Sequence, residues 1–208
     1  MTILEGKKVL LTGSTGSIGK EIAKKLSISG AKIALSGTNI EKLTSLQSDL
    51  GSGHSIYPCD LSDLTNINKL SDDVIGDFET IDILINNAGI KRDDLLIRMK
   101  DDDWLDVINM NLNSVYRLTK NITKHMFKQR QGKIISISSV VGFSGNPGQT
   151  NYVSSKSGLV GFTKSLAMEV ATRGVTVNCV APGMIDSDMI DSLNEKQKEA
   201  IIGRIPMA

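Results

Sequence analysis

Apolar positions along the chain fall into two alternating kinds of run. Short, nearly unbroken apolar stretches end at small or polar residues: KKVLLTG (7–13), AKIALSG (31–37), HSIYPCD (54–60), IDILINNAG (81–89), GKIISISS (132–139) and GVTVNCVAPG (174–183). Between them, over 18–30, 39–51, 62–78, 101–130 and 150–172, apolar residues recur every three or four places. The first pattern predicts strands buried on both faces and the second predicts amphipathic helices. Gly30 supplies a C-terminal stop for the first helix, and Asn39 a candidate N-cap for the second. The stretch 101–130 has room for one long helix or two. From Thr150 to Ala171, residues Leu159, Val160, Phe162, Leu166, Ala167 and Val170 keep helical spacing.

Strands alternating with helices predict an α/β architecture, a doubly wound parallel sheet covered on both sides. Ligands of such sheets sit beyond the carboxyl ends of the strands. That rule directs attention to the loops 12–19, 36–39, 59–61, 86–90, 138–149 and 181–189. With no internal repeat, low-complexity tract or linker, 1–208 reads as one domain.

Composition changes this picture little. The chain has 208 residues, 40% hydrophobic and 23% charged, with a net charge of +1. That balance gives no reason to expect nucleic acid or a membrane surface as a partner. No apolar run approaches the ~20 residues that cross a bilayer, and MTILEGKKVLLTG lacks the layout of a secretory signal, so a cytoplasmic protein is expected. Cys59 and Cys179, each near the end of an apolar run, read as buried thiols rather than a disulfide. His54 and His125 stand far apart, and no His/Cys cluster has metal-ligand spacing, so no metal is expected.

The loops carry the chemistry. TGSTGSIG (12–19) joins the first strand to the first helix. Its glycines let backbone approach a pyrophosphate, and the helix offers free N–H groups and a positive dipole end. The second strand ends at Ser36, Gly37, Thr38 and Asn39 without the acid that holds a ribose 2′-hydroxyl, which favours NADP. Asp60 can accept from an adenine amino group or cap the next helix. In NNAG (86–89) the asparagines can clamp neighbouring loops, and Gly89 admits a ligand. Ser138 and Ser139 close the fifth strand, Pro182 and Gly183 steer the chain after the sixth, and Ser187 can bond a carboxamide or phosphate. Tyr152 and Lys156, four apart, share one helix face. An ammonium beside a phenol is expected to lower the phenol's pKa.

The TG-rich turn, NNAG, a serine ahead of YVSSK, and PG near the sixth strand resemble the short-chain dehydrogenase/reductase family, in order and over essentially the whole chain. RDDLLIRMKDDDW (92–104), the stretch 132–183 and the closing RIPM are similar to the β-ketoacyl-acyl-carrier-protein reductases within it. The resemblance implies a Rossmann-like doubly wound sheet in one domain. It also implies that 1–208 is incomplete at its C-terminus, since relatives continue for about one more helix and a last strand. It implies a relay in which Tyr152 is the acid and Lys156 lowers its pKa and holds the nicotinamide ribose. Ser139 binds the carbonyl, Ser138 falling one place early, and Asn111 bends a helix and holds a water toward the lysine. Implied cofactor contacts are Gly13, Ser14, Thr15, Gly16, Ser17, Ile18 and Gly19, then Thr38, Asp60, Leu61, Asn87, Ala88 and Gly89. Tyr152, Lys156, Pro182, Gly183, Ile185 and Ser187 complete the set.

The implied activity is NADPH-dependent reduction of 3-oxoacyl-acyl-carrier protein to the 3-hydroxyacyl form in fatty-acid biosynthesis. The implied partners are acyl carrier protein and further copies of the chain, tetramers in relatives. Lys124, Lys128, Arg130 and Lys133 form a candidate patch for the acidic carrier. The glycine turn departs from the usual T-G-x-x-x-G-x-G: Ser17 takes the middle glycine place and Gly16 precedes it. A Cβ at position 17 is expected to alter the pyrophosphate contact. A reductase of another ketone, sugar or steroid, or a silent cofactor-binding scaffold, are the competing readings.

Overall fold

The apolar runs become the strands β1 (Lys8–Leu11), β2 (Lys32–Gly37), β3 (Ser55–Pro58), β4 (Ile83–Asn86), β5 (Gly132–Ile137) and β6 (Val175–Val180) of one sheet. All pair in parallel in the order β3-β2-β1-β4-β5-β6 in the computed structural model, which describes residues 2–185 and 203. Val9 sits between Ile33 and Ile83 in register. Alternate residues of each strand face opposite sides. Val9, Leu11, Ile33, Leu35, Ile83 and Ile85 therefore pack on α1 (Ser17–Ile28) and α2 (Ile40–Leu50). Leu10, Ala34, Leu84 and Ile134 pack on α3 (Leu64–Phe78) and on the later helices. This two-sided burial is why the strands read as unbroken apolar runs.

Local signals set the helix ends. The Asn39 side chain accepts from the Lys42 N–H at 2.8 Å and caps α2. Asp63, not Asp60, caps α3, accepting from the Thr65 N–H at 2.7 Å. Gly30, with φ +90°, follows the end of α1 and donates its N–H to the Ser27 carbonyl. The stretch 101–130 is helical throughout but not uniform. It runs as α4 (Asp101–Ile108), a π-helical turn (Asn109–Asn113) and α5 (Ser114–Gln129). A short α6 (Val141–Ser144), absent from the sequence expectation, precedes α7 (Thr150–Val170), which ends in a 3₁₀ turn (Ala171–Arg173). Ser187 and RIPM lie outside the described residues.

Cys59 and Cys179 are both free, the first buried and the second half-buried. Among the described residues no helix is long and apolar enough to cross a membrane. No group of three His, Cys, Asp or Glu side chains there has the arrangement to hold a metal ion.

His54 is buried where β3 meets α1. Its Nδ1 accepts from the Ile33 N–H at 3.3 Å, and its Nε2 pairs with the Ser27 hydroxyl at 3.0 Å. A proton on Nδ1 would face that N–H, and burial already pushes the imidazole below its ordinary 6.5. The unfolded chain therefore binds the proton first. His54 contributes stability that is complete above pH 6.5 and is lost as pH falls from there through the lower folded value. Urea unfolding near neutral and mildly acidic pH should show this loss, and His54→Asn should remove most of it. An unchanged pH dependence in the variant would contradict the assignment.

Candidate active site and cofactor cleft

Strand order reverses between β1 and β4, and a crevice opens at their carboxyl ends. One hydroxyl and one amide hold this point together. Thr12 Oγ1 accepts from the N–H groups of Asn87 (3.0 Å) and Ala88 (3.1 Å) and donates to the Ile85 carbonyl (3.3 Å). Asn87 Nδ2 donates to the carbonyls of Thr12 (3.1 Å) and Gly13 (3.0 Å). The glycines of the turn are needed for this approach. Gly13 has φ +62°, and a Cβ there would lie 2.8 Å from Ala88 Cα. A Cβ on Gly19 would lie 2.1 Å from the Gly13 carbonyl oxygen. Gly16 is different, since a Cβ there would meet only an ordinary contact at 3.5 Å.

The crevice fits a dinucleotide. α1 begins at Ser17 behind Gly16 with no side-chain cap and no acid in its first turn, whereas α2 and α3 are capped by side chains. The N–H groups of Ser17, Ile18 and Gly19 and the positive dipole end are thus open to an anion. The Ser36 hydroxyl, at the end of β2, is buried without a partner. Thr15 lies beside Gly37, and Thr38 is exposed. Several residues expected to bind cofactor are occupied otherwise. The Ser14 hydroxyl is turned to the carbonyls of Leu11 (2.8 Å) and Ser36 (3.0 Å). The Asp60 carboxylate accepts from the Ser62 N–H and hydroxyl. The Leu61 side chain belongs to the core, and the Asn87 amide to the clamp. These positions present backbone or shape rather than free side-chain groups. After β6, Pro182 accepts from the Val140 N–H at 3.0 Å, with Gly183 and the half-exposed Ile185 following.

On the far side of the crevice, α7 brings Tyr152 and Lys156 to the ends of β4 and β5. Lys156 is 4% exposed, and its Nζ donates to the Ile137 carbonyl at 2.8 Å. It stands 5.6 Å from the Tyr152 ring centre and about as near to Gly89 as a methyl group there would allow, 3.5 Å from an ideal Cβ. Burial pushes its pKa down to about 8, and Cys179 opposes this weakly. Tyr152 is half-buried, and its phenol lies above the ordinary value. Burial raises it most, the Ser139 hydroxyl lowers it, and the Asp93 carboxylate raises it again. This reverses the direction expected from the Tyr–Lys spacing. The spacing reports adjacency, but it cannot report that both groups leave water together.

The two serines part company. The Ser138 hydroxyl is buried and donates to the Lys156 carbonyl at 2.8 Å, tying β5 to α7. Ser139 stays half-buried beside Tyr152. Asn111, fully buried in the π-helical turn, accepts from the Ile90 N–H and donates to the Ile90 carbonyl, both at 2.8 Å. Its second amide proton goes to the Ser155 hydroxyl (3.1 Å), which in turn donates to the Tyr152 carbonyl (2.7 Å). With both amide protons taken by protein groups, the side chain braces the segment after β4 against α7. The expected water link toward Lys156 does not run through the Asn111 amide protons. Sequence reading missed Ser155 and Asn151. Asn151 is fully buried and donates to the Arg92 carbonyl at 2.8 Å. Their only signal was polarity on a helix face that turns out to be inside.

The sequence matches the family described as short chain dehydrogenase over residues 7–198. Nodulation protein G of Rhizobium sp. strain N33 is 52% identical over 98% of this chain and 83% of its own length. A 3-oxoacyl-(acyl-carrier-protein) reductase of Rickettsia bellii is 50% identical over 99% of this chain and 84% of its own. That of Haemophilus influenzae is 48% identical over 98% and 84%.

Lys156 gives the cleft a measurable signature. The folded ammonium loses its proton near pH 8 and the unfolded one near 10.5, so native stability rises with pH between them. The rise is about 3 kcal/mol in all, at about 1.4 kcal/mol per pH unit. Denaturant unfolding of native protein and Lys156→Met from about pH 7 to about pH 10.5 should differ by this slope; parallel curves would contradict the buried ammonium.

Proposed function

The chain belongs to the short chain dehydrogenase family, and on that premise we propose that it is an NADPH-dependent reductase of 3-oxoacyl groups carried on acyl carrier protein. The observation that carries the chemistry is the meeting of Tyr152, the buried Lys156 and the Ser139 hydroxyl in one cleft. The substrate assignment rests on the reductases that match nearly the whole chain. When bound, the nicotinamide supplies a hydride to the 3-keto carbon.

The residues of the chain do the rest. The Ser139 hydroxyl donates to the substrate carbonyl oxygen and stabilises the charge that builds there. Tyr152, kept protonated by burial, delivers its proton to that oxygen and leaves a phenolate. The Lys156 ammonium, held toward the cleft by the Ile137 carbonyl, stabilises that phenolate and returns a proton from solvent. Asn111 and Ser155 keep the Tyr152 turn in place. The α1 N-terminus would hold the pyrophosphate, and Gly89 would let the ribose approach Lys156. The NADP preference is supported by the end of β2, where Thr38 is exposed and no acid stands, while Asn39 is engaged as the α2 cap.

Acyl carrier protein is the proposed partner. Lys124 and Lys128 on α5, Arg130 just after it and Lys133 on β5 supply positive charge at one end of the molecule, raising the on-rate for an acidic carrier. Further copies of the chain are proposed to cover the groove of about 390 Å³ between α5 and α7, whose walls include Tyr116, Phe127, Phe162 and Leu166. The proposed location is the cytoplasm. The second reading, a reductase of a different ketone, is carried because nodulation protein G, 52% identical, has a name that specifies no acyl-carrier substrate. A silent scaffold has no need of a lysine buried at energetic cost.

Purified protein should oxidise NADPH in the presence of a short 3-oxoacyl thioester. Tyr152→Phe should lower kcat by about 10²–10⁴-fold while cofactor affinity stays near native. Cofactor binding without turnover of any ketone would overturn the proposal. In a separate comparison, kcat/KM with NADPH should exceed that with NADH, and Thr38→Asp should invert the ratio by placing a carboxylate against the 2′-phosphate. An unaltered ratio in the variant would contradict the NADP assignment.

A further inference from the structure

Asp93 lies in the segment after β4, 59 residues before Tyr152, and no sequence pattern links the two. The fold joins them at the start of α7. Asp93 Oδ2 accepts from Gln149 Nε2 at 2.9 Å. Gln149 is the residue whose carbonyl receives the Val153 N–H, at 2.8 Å, in the first turn of α7. The backbone beside Asp93 is fixed as well, because the buried Asn151 amide donates to the Arg92 carbonyl at 2.8 Å and to the Asp103 carbonyl at 3.3 Å. The carboxylate is thereby pinned at two neighbouring points against the turn that carries Tyr152. That helix has no side-chain cap and no acid in its own first turn. Its positive dipole end, acting alone, would favour the phenolate.

We propose that Asp93 is a positioning residue for this site: fixed by Gln149 at the N-terminal turn of α7, its carboxylate places a negative charge against the turn that carries Tyr152 and favours the protonated phenol, the form that acts as the acid in reduction. The proposal rests on the reading of Tyr152 as proton donor and deepens it. The other charged and titratable groups about Asp93 and α7 come from four elements. Lys156 lies on α7 itself. Lys91 and Arg92 precede Asp93, Lys91 at 3.8 Å from its carboxylate, and Asp103 on α4 faces Arg92 at 3.9 Å. Cys179 on β6 stands by Lys156. Asp93 is the acid among them that is hydrogen-bonded to the N-terminal turn of α7, where a negative charge disfavours the phenolate. Its side chain is 38% exposed, so the effect is partly screened and should weaken with salt.

Reduction uses the phenol, whereas oxidation of the alcohol uses the phenolate. A carboxylate that keeps the proton in place extends the reducing reaction to higher pH and delays the reverse reaction.

The test is the pH titration of the Tyr152 phenol by ultraviolet difference absorbance, isolated by subtracting the matching Tyr152→Phe protein, together with the pH profile of kcat in both directions. Asp93→Asn and Asp93→Ser should each move the Tyr152 midpoint and the alkaline limb of reduction to lower pH. Asp93→Glu should restore both toward native, and added salt should shift the native midpoint more than that of Asp93→Asn. Asp93→Asn keeps an acceptor for Gln149 and loses only the long ion pair, Asp93→Ser loses both at this part-exposed site, and thermal unfolding checks that they fold. A Tyr152 midpoint unchanged in both neutral variants would overturn the proposal, even if Tyr152→Phe is inactive. A shifted midpoint with a fully active Tyr152→Phe would keep the electrostatic coupling and sink the reading of Tyr152 as the acid.

Discussion

The crevice exists because the ends of β1 and β4 are clamped to each other where the crossover helices leave on opposite faces of the sheet. Thr12 Oγ1 takes two backbone N–H groups from the segment after β4, and Asn87 Nδ2 returns two bonds to the carbonyls of the glycine turn. These bonds satisfy backbone groups that strand reversal would otherwise leave buried and unpaired. They also fix the α1 N-terminus relative to Gly89, and Gly89 relative to Lys156. Residues expected from the motifs to touch a cofactor, Asn87 and Ser14, serve this frame with their side chains. What remains for a ligand is backbone N–H, shape and a few hydroxyls.

Against that frame α7 places a charge where a charge is costly. The Lys156 ammonium keeps one strong acceptor, the Ile137 carbonyl, and its pKa falls to about 8 because little else replaces water. A site that only needed stability would place an apolar side chain there. Tyr152 is shifted the other way, so the phenol keeps its proton while the lysine gives its own up more readily. Burial thus pushes the two groups apart: Tyr152 stays in its proton-donating form, while Lys156 exchanges its own proton with solvent at a lower pH than a free lysine does.

Much of the fold was legible in the chain. Two-sided burial wrote the strands as apolar runs, and Asn39 and Gly30 marked helix ends through bonds that depend only on neighbours. The π-helical turn at Asn109–Asn113 was not legible, since its i+5 register serves the docking of Asn111 on Ile90, a tertiary contact. Nor was α6, four residues long and held by the packing of Gly142 on α7. In the site, the grouping of Ser139, Tyr152 and Lys156 followed from the motifs. The division of labour between Ser138 and Ser139 required knowing which hydroxyl faces the α7 backbone. The direction of the phenol's pKa was misjudged because burial is a property of the fold, not of spacing. Asp93 was invisible because only the docking of the 90–100 segment on α7 brings it near.

The most direct test of the account is a crystal structure of the protein with a nicotinamide dinucleotide bound. The pyrophosphate should lie at the uncapped N-terminus of α1, the dinucleotide across the β1–β4 crevice, and its nicotinamide end beside Tyr152 and Lys156. A dinucleotide bound elsewhere, or one that leaves Lys156 on the Ile137 carbonyl with no contact to cofactor and Tyr152 facing bulk water, would contradict it.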